Sequence, residues 1–252
     1  MSEEQEYLRL ASADNFRDVA GTGYATRDGG KVRTGVFYRS NDLRLTGDDF
    51  EALQAIGLTA VIDLRSPTEI AVHPDPEVPG AENLHFDAIG IPIERLSSLT
   101  SRAEAVALMD EVYRGFVVEE HCRTAFGGVL RQLAAGGPQL FHCSQGKDRT
   151  GWVAALLLHV AGVDDPTIES DYLLTNARSA ASRARVEAEI EKHGGPDLVA
   201  VYEPTLVVDV EYLDAAWAAV EELYGDRSSY LRDGLGLDDT TLGRLRDLLR
   251  DA

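Results

Sequence analysis

In the stretch "HCSQGKDRTG", His142 to Gly151, a cysteine and an arginine bracket five residues. A thiolate at Cys143 is a nucleophile and Arg149 carries a planar fork of N–H donors, a shape that holds two phosphoryl oxygens at once. The residues between them, Ser144, Gln145, Gly146, Lys147 and Asp148, are short, polar or permissive, as a tight loop requires. Such a loop brings the arginine back over its own mouth and turns successive backbone N–H groups inward. With the positive end of a following helix they make an anion cradle, whose field also favours the thiolate. Gly146 permits unusual dihedrals or close backbone approach. Thr150 can set a hydroxyl near the sulfur, and Gly151 allows close packing where the helix leaves the loop.

Other uses of these residue types fit less well. A Walker loop needs Gly-Lys-Ser/Thr, and Lys147 is followed by Asp148. His142 and Cys143 are adjacent, and no further spaced Cys or His pair completes a metal site, so none is expected. Cys122 reads as an inert buried thiol.

The chemistry that follows is two-step hydrolysis of a phosphate ester. Cys143 attacks phosphorus to give a cysteinyl-phosphate, which water then hydrolyses, while the loop amides and Arg149 stabilise the equatorial oxygens. No cofactor is needed. The leaving oxygen benefits from a proton. Asp148 leads as its donor because its loop position can face the ester oxygen; the bland alternative is a surface aspartate capping the next helix. Asp63, ending the apolar run of "VIDLRS", is the rival acid, unless it accepts hydrogen bonds that order the loop or Arg65.

The elements that position these residues are legible as patterns. "GGPQLFHC" predicts a strand over Gln139 to His142, and "GWVAALLLHVAG" a buried helix beginning near Arg149 or Thr150 and ending near Gly162. Upstream, a strand is expected around Val36 to Tyr38, a helix between Thr46 and Gly57, and a buried strand through Val61, Ile62 and Leu64. That order points to an α/β sheet. A further strand is expected near Leu84 to Phe86. Arg102 to Leu133 reads as helical with a break near "HCRTAF", and either covers a pocket or packs on the sheet. Asp164 or Asp165 caps a helix with Pro166 in its first turn, and helices follow over 181–192, 210–224, 226–232 and 239–249. Phe37, Tyr38 and Trp152 read as packing residues, and Arg39 and Arg65 as surface ion pairs.

The chain has 252 residues, 44% of them hydrophobic, and no linker-like stretch. It reads as one domain, 1–252, with a helical insertion at about 97–136 and a helical flank at about 164–252. No signal peptide or membrane-spanning run is evident, and two cysteines make no disulfide framework, so a reducing cytoplasm is the simplest setting, non-classical secretion being the other. A net charge of -19, from 43 acidic and 24 basic residues, argues against nucleic-acid binding. It leaves room for an anionic substrate in a local cluster of donors.

The loop resembles the Cys-x5-Arg-Ser/Thr signature of the cysteine-dependent protein tyrosine phosphatase superfamily, and its Lys-Asp pair resembles the bacterial lipid-like, triple-specificity members. "NFRDVAG", "VFYRSNDL", "VIDLRSPTE", "DYLLTN" and "YLRDGLGL" are similar to recurring blocks of that subfamily, so the resemblance runs from Asn15 to Leu237. It implies a three-layer α/β/α fold around a mostly parallel sheet, with a helical insertion able to serve as a lid. The implied substrates are phosphotyrosine first, then phosphoserine, phosphothreonine and phosphoinositides, with inorganic phosphate as product.

The resemblance also supports Asp148 as the acid. It gives Lys147 a second anionic group to contact, against the alternative of a solvated lysine. It makes His142 a residue that orders the loop, and Asn15, Arg17 and Asp18 a block that packs beside the loop and supports it. A small-metabolite phosphatase with the same mechanism, a phosphate-binding module without turnover, and a rhodanese-like sulfur transferase are the competing readings.

Overall fold

The computed structural model describes residues 8–90 and 93–250. The ends of the expected domain, 1–7 and 251–252, lie outside the described residues. In chain order the elements are β1 (Arg17–Asp18), β2 (Phe37–Ser40), α1 (Gly47–Ala55), β3 (Ala60–Asp63), α2 (Pro67–Val72), β4 (Glu82–His85), α3 (Ile93–Leu96), α4 (Arg102–Val118) and α5 (Glu120–Leu133). Then come β5 (Gln139–His142), α6 (Asp148–Ala161), α7 (Asp165–Arg178), α8 (Ala180–Leu206), α9 (Val210–Tyr224), α10 (Arg227–Ser229), a π-helical turn (Tyr230–Gly234) and α11 (Asp239–Leu249).

The five strands lie in the order β1-β2-β5-β3-β4. Only β1 is antiparallel to its neighbour; β2, β5, β3 and β4 run parallel. β5 is central, with Ser40 and Asp63 both in register with His142. The carboxyl ends of three strands therefore meet at the residue before Cys143, and in a parallel sheet that edge is where ligands are received.

Side chains alternate across the sheet as strand geometry requires. Phe37, Ala60, Ile62 and Phe141 join the larger core, shared with α4 to α7, α9 and α11. Val61 and Leu140 point the other way, onto Leu53 of α1 and onto Leu10, Phe16 and Leu43. The fold is thus three layers, helix, sheet and helices. α6 is apolar nearly all round and is buried nearly all round; it closes on Gly162, whose φ of 87° suits a residue without Cβ. Trp152 of α6 meets Trp217 of α9 with ring centroids 4.5 Å apart.

α4 and α5 pack into this core through Met109, Val112, Tyr113, Phe116, Phe126, Val129 and Leu130. Their break falls at Glu119, two residues before "HCRTAF". α8 reaches Leu206, well beyond the expected 192, interrupted at Gly195 (φ 71°) with Pro196 restarting it. None of the described helices is long and apolar enough to cross a membrane.

Candidate active site

β5 delivers Cys143 to the base of the loop, and α6 begins at Asp148, so the helix N-terminus points into the loop. The loop's carbonyls are tied down in turn. Ser144 O accepts from the Asp42 amide at 3.1 Å. Asn15 Nδ2 donates to Gln145 O at 3.1 Å and to Gly146 O at 2.9 Å. Arg39 Nη2 also donates to Gly146 O, at 2.9 Å, and Lys147 O accepts from the Gly151 amide. Each carbonyl lies trans to the next residue's N–H. Holding the carbonyls outward therefore aims the amides of Gln145, Gly146 and Lys147 to the opposite side, and among the described residues none of these amides has an acceptor. Gly146 has φ 65°, and a Cβ there would lie 2.4 Å from Ser40 O and 2.6 Å from the Asn41 nitrogen, so only glycine fits.

The supports are themselves anchored. Arg17 Nη1 donates to Asn15, its Nε to Asp171 Oδ1 at 3.4 Å and its Nη2 to Thr175 at 3.1 Å. Arg39 Nη1 donates to Asp171 Oδ2 at 3.1 Å. One buried carboxylate on α7 thus serves both arginines. Burial, and the charge of Arg17, lower the Arg39 pKa to about 10, with Asp171 opposing the shift. Arg39 is buried, correcting its expected surface ion pair; Arg65 is corrected likewise. Asp18 does not join the loop supports as expected: its carboxylate accepts from the Ala20 and Gly35 amides and stabilises a local turn.

Arg149 is gripped by Glu69, a residue not singled out from the sequence. Nη1 donates to Oε2 at 2.8 Å and Nη2 to Oε1 at 2.9 Å; Nη1 also reaches Leu64 O at 3.3 Å. Of five N–H donors, the Nε one and one on Nη2 remain, side by side on the other edge of the fork. Burial works against the Arg149 charge, but the Cys143 sulfur and Glu69 outweigh it and hold its pKa above the ordinary value. Burial raises the Glu69 pKa, but Arg149 and Ser144 pull it down to about 2. Glu69 is placed by its helix: Ser66 caps α2, Pro67 opens it, and Glu69 Oε2 accepts from the Ser66 amide at 2.9 Å in a capping box. "SPTE" carries that signal in the sequence.

Asp63 accepts from Arg65 Nε and Nη2 at 2.8–3.1 Å and from the Arg65 amide at 2.9 Å. Burial raises its pKa, but these bonds and His142 leave it below the ordinary carboxylate range. Arg65 Nη2 also donates to Asp75 Oδ1, and His142 Nε2–H donates to Asp75 Oδ2, both at 2.8 Å. Asp63, Asp75 and His142 lie close enough to hold a cation. The Arg65 guanidinium already fills that role. His142, at the end of β5, is thus tied through Asp75 to Arg65.

Asp148 stands at the first turn of α6, its side chain 21% exposed. Tyr113 Oη donates to its Oδ1 at 2.8 Å. Lys147 is buried, not solvated, and its Nζ lies 3.1–3.2 Å from both Asp148 oxygens and 3.3 Å from Val207 O. Thr150 Oγ1 is buried and has no hydrogen-bond partner among the described residues. Cys122 is buried, and burial foremost pushes its thiol up to about 12, which makes it unreactive at neutral pH.

A cavity of about 870 Å³ opens beside Ser144 and Gln145, with Arg44, Arg65, Arg183 and Arg185 on its walls. Its far wall comes from the first half of α8, and α4 and α5 contribute none of it.

A profile described as the tyrosine phosphatase family matches residues 8–251. The chain is 34% identical to the triple specificity protein phosphatase PtpB of Mycobacterium tuberculosis, an alignment covering 95% of this chain and 98% of that one. It is 36% identical to a putative tyrosine-protein phosphatase of Cupriavidus necator, over 92% of this chain and 85% of the other. A tyrosine-protein phosphatase of Nostoc commune is 30% identical, over 86% and 74%.

Proposed function

Because the chain belongs to the tyrosine phosphatase family, we propose that it hydrolyses phosphomonoesters through a cysteinyl-phosphate. Phosphotyrosine in proteins is the first substrate, with phosphoserine, phosphothreonine and phosphoinositides as further ones. The observation that carries the mechanism is the loop whose carbonyls from Ser144 to Lys147 are each held by a donor, which turns the amides of Gln145, Gly146 and Lys147 to the opposite side. Such preorganised donors need no rearrangement when charge develops on the phosphoryl oxygens.

In the first step Cys143 Sγ forms a bond to phosphorus as the ester P–O bond breaks. The electron pair leaves with the ester oxygen, which takes a proton from Asp148. The Nε edge of Arg149, left over from its grip on Glu69, meets two equatorial oxygens. In the second step water attacks phosphorus, Asp148 takes its proton, the P–S bond breaks and inorganic phosphate leaves with the thiolate restored. Asp148 is favoured over Asp63 because Asp63 has spent its oxygens on Arg65, whereas Asp148 is partly open to solvent at the loop.

Breadth of substrate is supported by the likeness to a mycobacterial triple specificity phosphatase and by the arginines on the walls of the adjoining cavity, which suit anionic groups beside the scissile phosphate. The test is phosphate release from phosphotyrosine and phosphoserine peptides, phosphoinositides and sugar phosphates, with Cys143→Ser alongside. Turnover of phosphotyrosine above the rest, abolished by the substitution, is expected. Activity surviving in Cys143→Ser removes the mechanism, and a preference for sugar phosphates removes the substrate class.

A further inference from the structure

We propose that Tyr113 is the positioning residue for the proton donor Asp148, with Tyr172 holding Tyr113 in turn. Tyr113 lies on α4, thirty-five residues before Asp148, and its hydroxyl reaches Asp148 Oδ1 at 2.8 Å. The Tyr172 hydroxyl lies 2.6 Å from that of Tyr113. A phenol has one proton to give. Donation by Tyr113 to the carboxylate therefore requires Tyr172 to donate to Tyr113, which sets a single direction along the chain of bonds. Burial, then the charge of Asp148, keep the Tyr113 pKa well above its ordinary value, so Tyr113 remains a donor wherever the enzyme works.

The surrounding rings hold Tyr113 by packing. Tyr113 is buried, with its centroid 5.1 Å from Phe116, 5.9 Å from Tyr212 and 6.3 Å from Tyr172. Tyr172 packs against the gap left by Gly151, where a Cβ would come within 3.1 Å of its ring. With Oδ1 committed to Tyr113, the transferable proton sits on Oδ2. Without Tyr113, Lys147, whose ammonium reaches both oxygens, alone sets the carboxyl's rotation. Asp171, which anchors both loop-supporting arginines, is the neighbour of Tyr172. Two successive residues of α7 thus fix the nucleophile's loop and the acid.

The assignment rests on Asp148 as the acid, and the experiment separates the two. The rate constants kcat/KM are measured for Tyr113→Phe, Tyr172→Phe, Asp148→Asn and the Tyr113→Phe/Asp148→Asn pair across substituted phenyl phosphates, from 4-nitrophenyl to unsubstituted phenyl. Loss of proton donation hurts poor leaving groups most. Tyr113→Phe is expected to lose about tenfold on phenyl phosphate and less than about twofold on 4-nitrophenyl phosphate. Tyr172→Phe follows in the same direction more weakly, Asp148→Asn is steeper, and the pair loses no more than Asp148→Asn alone. A steep Asp148→Asn with a uniform loss in Tyr113→Phe, or additive losses in the pair, overturns the positioning role and leaves the acid in place. A flat Asp148→Asn overturns both. Thiol alkylation of Cys143 at the wild-type rate in Tyr113→Phe confirms an intact loop.

Discussion

Glu69 and Arg149 face each other end-on, with two parallel N–H···O bonds of 2.8 and 2.9 Å. The pair fixes the rotation of the guanidinium and leaves its Nε edge outside the grip of Glu69. It is partly screened from solvent, and Ser144 adds a third bond to the same carboxylate. Glu69→Gln is expected to lower kcat/KM by about ten- to a hundredfold and stability by about 1–3 kcal/mol. Because the folded pKa is depressed from 4.5 to about 2, the pair's stabilisation is complete above about pH 5 and declines as pH falls toward the folded value. Urea unfolding of wild type and Glu69→Gln between pH 6 and 2.5 checks this. A gap that does not narrow on acidification counts against it.

Gly146→Ala tests the seat of the loop. The added methyl would press on Ser40 O and on the Asn41 nitrogen, backbone atoms of the strand end that cannot turn aside. The residue would also sit at φ 65° with a Cβ. A stability cost of about 2–4 kcal/mol is expected, with kcat reduced more than about a hundredfold because the amides no longer converge. Inorganic phosphate should then fail to protect Cys143 from alkylation, and undiminished protection would contradict the account.

Asp171→Asn removes the one carboxylate that Arg17 and Arg39 share in the interior. Two buried guanidinium groups lose their counter-charge, a situation that costs about 3–5 kcal/mol. Activity should fall by the same factor for all leaving groups, since what is disturbed is the cradle and not the proton donor. Thermal unfolding and the phenyl phosphate series report the two effects together. A leaving-group-dependent loss would mean that Asp171 acts through Tyr172 instead.

The strands and helices that carry a sharp apolar boundary were readable from the sequence. β5, α9 and α11 have the expected limits, since "QLFH" ends abruptly in a polar loop and the two helices begin at capping aspartates. Within the loop, spacing singled out Cys143 and Arg149, and they lie just after β5 and in the first turn of α6. β2 starts one residue and ends two residues later than expected, and its end was missed because Arg39 and Ser40, polar in type, are buried parts of the strand. The same physics hid the site's supports. A charged residue reads as surface unless its partner is known, and Arg39 meets Asp171 across 132 residues of chain. Glu69 was concealed differently, since a capping box accounts for a glutamate at that position without any second task. α8 was cut short because "GGP" reads as an end, whereas Gly195 only interrupts the helix and Pro196 reopens it.

The two candidate acids differ in what their oxygens already do, and their pH–rate profiles should differ accordingly. Asp63 takes three N–H donors from Arg65 and its amide, which favour the ionised form. A carboxylate held that way has no proton to give at working pH. Asp63→Asn should therefore keep both limbs of the kcat/KM profile, while losing stability because Arg65 keeps one of its two carboxylate partners, Asp75. That stability difference, arising from a lowered folded pKa, is present above the unfolded carboxylate value near pH 4 and fades as pH falls through the folded one. Among the described residues Asp148 is tied through Tyr113 and Lys147, and its side chain is partly open to solvent. Asp148→Asn should remove the limb on which activity falls as the acid deprotonates, and lower the maximal rate by about 10²–10⁴ on poor leaving groups. Loss of that limb in Asp63→Asn, with its retention in Asp148→Asn, would exchange the two roles and transfer the proton donor to β3.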